Sequence, residues 1–212
     1  VRKVREADYN VDEQLRRNQA DIDRRRTERL SLEQALPWSD VTLLLDLPRI
    51  RSSQLYTDWS ANIPNGLIMK HRRRQLGIAD GLDGTHVPTP VAEARQVLVD
   101  QRLVRHPLNL QSRRDEDHLR FGGPLTIATL LEPDEVNMMP ERLPAPLVDG
   151  RPPSYSFLKA FLHGDRVVTI LVAVHLERLY AITSYRLEVD TQPHRIDHER
   201  RAGQILYSRL LA

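Results

Sequence analysis

Residues 154–189 constrain the fold more than any other part of this chain. Ser154–His163 (SYSFLKAFLH), Arg166–His175 (RVVTILVAVH) and 179–189 (LYAITSYRLEV) are three runs rich in β-branched and aromatic residues. Gly164-Asp165 and Glu177-Arg178 separate them. The spacing predicts two successive hairpins. The middle run is apolar at both parities, with Val168, Ile170, Val172 and Val174 on one side and Val167, Leu171 and Ala173 on the other. A strand of that kind is expected at the centre of its sheet and covered on both faces. The outer runs alternate more, so each is expected to keep one wetter face.

What precedes the three runs reads as mostly helical. Over 8–30, Val11, Leu15, Ile22 and Leu30 are the few apolar residues, and Glu13/Arg17 and Asp21/Arg25 are opposite charges at helical neighbour spacing. Ser31 is placed to cap a second short helix that Pro37 ends. The apolar run 41–47 fits a short strand or a buried helical turn equally. Pro88-Thr89-Pro90 then leads into a helix expected over 91–104, with Val91, Ala94, Leu98 and Leu103 near one face. The charge-dense stretch 105–117 is the expected linker. A helical turn is expected at 126–131, and 140–153 carries five prolines as a stiff lead into the strands (Pro140, Pro144, Pro146, Pro152, Pro153). Residues 204–211 read as a last strand or a closing helix. The fold class expected is α+β: a mostly helical region 1–104, the linker 105–117, and a small domain 118–212 whose antiparallel sheet has three or four strands and flanking helices.

Composition narrows the chemistry. With no cysteine among 212 residues, disulfides, thiolate metal sites and thiol nucleophiles are excluded. No apolar run approaches the ~18 residues of a membrane span, and the charged first thirty residues hold no apolar core of a signal peptide. The expected setting is cytoplasmic, with no membrane partner. Val1 fits either an alternative start or a fragment. Phosphate-cradling GxxxxGK[ST] and GxGxxG loops are missing, as is the GxSxG elbow, and no cofactor is expected. His194 and His198 lie one helical turn apart, but no third ligand stands at a recognised spacing, so no metal is expected.

Net charge is only +2, so a basic surface must come from local clustering. Lys70-His71-Arg72-Arg73-Arg74 is the densest cluster. Lys70, Arg72, Arg73 and Arg74 are the candidate phosphate contacts, against the alternative of a solvated face. Arg24-Arg25-Arg26 is a weaker candidate of the same kind. On the strands, Lys159 interrupts an otherwise apolar run, and His175, Thr183, Tyr185 and Arg186 lie within or at the ends of the runs. Such groups suit RNA cleavage, in which the 2′-hydroxyl is the nucleophile and the protein supplies an acid, a base and cations without a metal. A plain α+β core with polar residues at strand ends fits the same residues.

The order of these segments resembles the phage-associated domains of the barnase–EndoU–colicin–RelE-like superfamily. The residues that carry the resemblance are Leu130-Leu131-Glu132-Pro133-Asp134-Glu135, then Phe157-Leu158-Lys159, then Ala181-Ile182-Thr183-Ser184-Tyr185-Arg186, with RRAGQILY (200–207) behind them. Serine stands where that family usually has alanine before the tyrosine. The resemblance covers about residues 118–212. It implies a metal-independent ribonuclease of toxin or effector type, with RNA as substrate and an antitoxin or immunity protein as partner. His118 and His175 are both candidates for its catalytic histidine. The rival expectations are a non-catalytic nucleic-acid-binding protein and a structural or interaction protein of a phage or mobile element.

Overall fold

The structure is a computed structural model that describes residues 36–51, 73–105, 123–139, 154–189, 193–201 and 203–211, with Lys70 and scattered positions between 13 and 25. The chain divides into two compact units, Val1–Leu36 and Pro37–Ala212. In the first, the described positions between 13 and 25 are helical. The expected pairs form there: Arg17–Glu13 at 2.5 Å and Arg25–Asp21 at 2.9 Å, with Arg24 also on Asp21. All are exposed, so each contributes only about 0.3–0.5 kcal/mol.

The second unit is built on strands. Gly84–Pro88 (β1) and Gln96–Asp100 (β2) form an antiparallel ribbon. Glu135–Met139 (β3), Ser154–His163 (β4), Arg166–His175 (β5), Ala181–Glu188 (β6) and Gln204–Ser208 (β7) form a five-stranded antiparallel sheet in the order β6-β5-β4-β3-β7. Helices accompany them at Trp38–Leu43 (α1), Gln101–Arg105 (α2), Gly123–Leu131 (α3) and Pro193–Arg201 (α4), and residues 73–75 are helical as well.

The three expected strands form, and the doubly apolar β5 has neighbours on both sides. Gly164 closes the β4–β5 turn at φ 63°, where a side chain would be strained. Phe157, Phe161, Ile170 and Val172 point to one face and share a core with Leu125 and Leu130 of α3 and with Val87, Val97 and Val99 of the ribbon. Leu158, Ala160, Leu171 and Leu187 point to the other and pack with Trp38 and Val41 of α1 and Ile196 of α4. We call these the ribbon face and the helix face.

The expectation of a mostly helical N-terminal region before a sheet of three or four strands is overturned. Strand exceeds helix among the described residues, and the main sheet has five strands. The helix expected over 91–104 is a short 3-10 turn at Ala92–Ala94, then β2, then α2. The reason is local. Thr89 Oγ1 donates to the Ala94 carbonyl at 2.7 Å and accepts the Val91 N–H at 3.2 Å, folding the chain back. Val97 and Val99, two apart, are then buried by pairing with β1. The two extra strands are short. In β3 the inward residues include Glu135 and Asn137, which hide the apolar alternation by which a strand is read. Residues 106–117, the core of the expected linker, lie outside the described residues, while the ribbon before them and the sheet after them share one core.

Gly203 brings β7 close against β3. A Cβ there would lie 2.6 Å from Met139 Sδ and 2.9 Å from the Met138 carbonyl oxygen. Gly203→Ala is expected to destabilise the fold by about 1–3 kcal/mol through this overpacking. The midpoint of urea unfolding measures it, and an unchanged midpoint would mean that the β3–β7 edge is loosely held.

Candidate functional site

Side chains opposite one another across a sheet share a face, so the register places every sequence-predicted group. Lys159 pairs with Ile170 and Ile170 with Arg186, which puts Lys159 and Arg186 on the ribbon face. Tyr185 pairs with Leu171 and Thr183 with Ala173, which puts both on the helix face. His175 stands opposite Ser154 at the end of β5, also toward the helix face. Lys159 and Tyr185 therefore lie on opposite faces and do not form one site. His118 and Arg72 lie outside the described residues.

Lys159 is buried, and the contacts of its ammonium explain why the strand tolerates it. Nζ donates to the Glu132 carbonyl at 2.5 Å, just past the end of α3, and lies 3.7 Å from the Glu132 carboxylate. A cation there satisfies a helix-end carbonyl and meets the negative end of the helix dipole. Arg186 donates to Glu188 at 2.5 Å on the same edge strand. Tyr185 is buried in the helix-face core, with the Arg195 guanidinium 5.2 Å from its ring centre.

His175 shapes the β5–β6 turn. Its Nδ1 accepts the main-chain N–H of Glu177 at 3.3 Å and of Arg178 at 3.4 Å, while Leu179 takes φ 48°. Its ring stacks on Tyr180 at 5.2 Å. The Arg102 guanidinium lies 3.6 Å from the Tyr180 ring centre. Asp100 grips Arg102 through both carboxylate oxygens, and this hydrogen-bonded pairing pushes the guanidinium further toward its charged form. Leu98 N–H donates to the Leu179 carbonyl at 2.7 Å. Together these contacts pin the ribbon to the turn, a role that sequence reading missed because Tyr180 is far along the chain from Asp100 and Arg102.

Of the described residues of the basic cluster, Arg74 is exposed, while Arg73 and Lys70 have local contacts. Arg73 donates to the carbonyls of Leu82 and, at 3.4 Å, Ala79. Lys70 lies 3.8 Å from Asp80. Arg73 thus closes the 79–82 turn, and Lys70 has an acidic neighbour.

The strongest electrostatics sit where no site residue was expected, under the helix face. Glu135 accepts Arg200 Nε at 2.8 Å and Nη2 at 2.9 Å, with both side chains almost wholly buried. Asn137 Nδ2 donates to Glu135 Oε1 at 2.8 Å. Arg200 also lies 3.6 Å from Asp197, whose carboxylate accepts the Trp38 main-chain N–H at 2.8 Å. The guanidinium sits 5.1 Å from the Trp38 ring centre, and Trp38 Nε1 donates to Thr169 Oγ1 at 2.7 Å. Asp134, also buried, accepts the Ala160 N–H at 2.8 Å and Arg209 Nη1 at 3.2 Å. These charges tie α1, α4 and the end of β7 to the sheet. Of the His194/His198 pair, His198 is exposed on α4, and the neighbouring Asp197 is committed to Trp38.

Among the described residues, no helix is long and apolar enough to cross a membrane. No family model, no curated protein and no solved structure matches the chain.

Proposed function

We propose that this chain is a protein-interaction module whose five-stranded sheet serves as scaffold. One observation carries the reading: Lys159 and Tyr185, the pair on which a catalytic sheet depended, are buried on opposite faces, Lys159 bonded to the Glu132 carbonyl and Tyr185 packed in the core. Burial of the sheet under α3 and the ribbon on one side and α1 and α4 on the other supports it. So does the outside of α1 and its C-cap, where Leu43 is 83% and Leu44 65% exposed, with Asp40 and Asp46 exposed beside them. The partner surface that fits is apolar with a basic rim. A phage or mobile-element setting enters through the resemblance alone.

A second reading keeps the metal-independent ribonuclease, with RNA as substrate and an antitoxin as partner. One arrangement favours it: His175, Thr183 and Tyr185 share the helix face. Incubating the purified chain with total RNA, with and without EDTA, separates the two. Under the interaction reading the RNA stays intact in both. Cleavage that survives EDTA, and that Tyr185→Phe lowers by about 10²–10⁴-fold, would replace it with the ribonuclease. The positive arm uses cross-linking in cells. A partner captured by the native chain should be lost with Leu43→Ser/Leu44→Ser, and equal capture would remove α1 from the interface.

A further inference from the structure

Asn137 lies on the helix face of β3, one strand in from the sheet edge, and is fully buried. Its Nδ2 faces Glu135 Oε1, and both oxygens of that carboxylate are engaged by Arg200. The pair fixes the amide, because a flipped side chain would set Oδ1 against a carboxylate oxygen. Oδ1 therefore points away from Glu135, and it has no hydrogen-bond partner among the described residues. An orphaned buried acceptor costs about 1–3 kcal/mol, and native folds supply such groups with a donor.

The surroundings on that side are polar. Ser156 stands directly across the sheet from Asn137 and is buried. Beyond it on the same face lie Ser154, Thr183 and His175, all half-buried. We propose that this end of the helix face is a binding site for a neutral hydroxyl group, held between Asn137 Oδ1 and Ser156 Oγ. A neutral donor fits because Glu135 and Arg200 already neutralise one another, leaving an acceptor rather than a charge to satisfy. The hydroxyl has two sources, an ordered water, which a buried polar site with several partners suits, or a small polyol. The inference stands independently of the interaction reading.

The test is a high-resolution crystal structure of the full chain, once as purified and once soaked with ribose. The expected result is an oxygen within hydrogen-bonding distance of both Asn137 Oδ1 and Ser156 Oγ. If it persists unchanged in ribose, water is the occupant; if ribose displaces it, the site takes polyols. In solution, isotope-labelled protein should show magnetisation transfer from a long-lived water, or from ribose, to the Asn137 side-chain amide, and Ser156→Ala should weaken it. A dry Oδ1 would overturn the proposal, and so would an Oδ1 bonded to a protein donor such as a main-chain N–H from 140–153.

Discussion

Arg200→Ala is expected to destabilise the second unit by about 3–5 kcal/mol, the range for stripping one partner from a buried ion pair. The loss exceeds that of an ordinary salt bridge because of what remains. Glu135 is left without its cation in a site almost closed to water, with the Asn137 amide the one side-chain donor to it that remains among the described residues. Asp197 loses a nearby cation, and the Trp38 ring loses the guanidinium beside it. Urea unfolding followed by far-ultraviolet circular dichroism measures the change. Glu135→Leu/Arg200→Met should recover much of it, since a buried pair replaced as a unit by apolar groups is often neutral. Recovery should stay incomplete because Asn137 Nδ2 then has no acceptor. A loss below about 1 kcal/mol in Arg200→Ala would mean that water reaches Glu135 and that the pair is not truly buried.

Trp38→Ala should cost a similar amount, about 3–5 kcal/mol. Trp38 has no exposed surface and heads a helix of six residues. So short a helix has little stability of its own and depends on what it buries. Trp38 is its anchor three times over: ring in the core, indole N–H on Thr169, main-chain N–H on Asp197. Trp38→Phe divides these contributions. It keeps most of the packing and leaves Thr169 without the indole donor, so about 0.5–1.5 kcal/mol is expected, the net worth of one hydrogen bond. Equal losses in the two variants would show that the hydrogen bond, not the ring, holds α1 down.

The hairpins were legible in the sequence because their signal is local. Alternation, β-branched content and a glycine at the turn act over ten residues, and β4, β5 and β6 appeared where that pattern stood. The helix expected over 91–104 failed because its apolar spacing satisfied two periods at once. Pairing of Val97 and Val99 with β1, a tertiary event, chose the strand. Of the two short flanking strands, β7 fell where a last strand or a closing helix was expected, and β3 escaped notice for a related reason. Glu135 and Asn137 read as surface residues until Arg200, 65 positions away from Glu135, comes to meet them.

The sequence by itself determined the antiparallel core of three strands, the interior place of β5 between two neighbours and the exclusion of thiol chemistry, whereas the centre of the sheet went to β4. Only the tertiary structure decided which face each polar strand residue occupies. A register shift of one residue moves a side chain across the sheet, and nothing within a single strand states its partner's register. That is why Lys159 and Tyr185, both plausible as catalytic groups along the chain, parted to opposite faces, one to the carbonyl beyond α3 and the other to the core beneath α4. Charge behaves the same way. A lysine or an arginine in a sequence is a candidate for binding a ligand, but once it is buried, desolvation demands a partner from the protein itself. In this fold Lys159 and Arg200 found theirs in the Glu132 carbonyl and the Glu135 carboxylate.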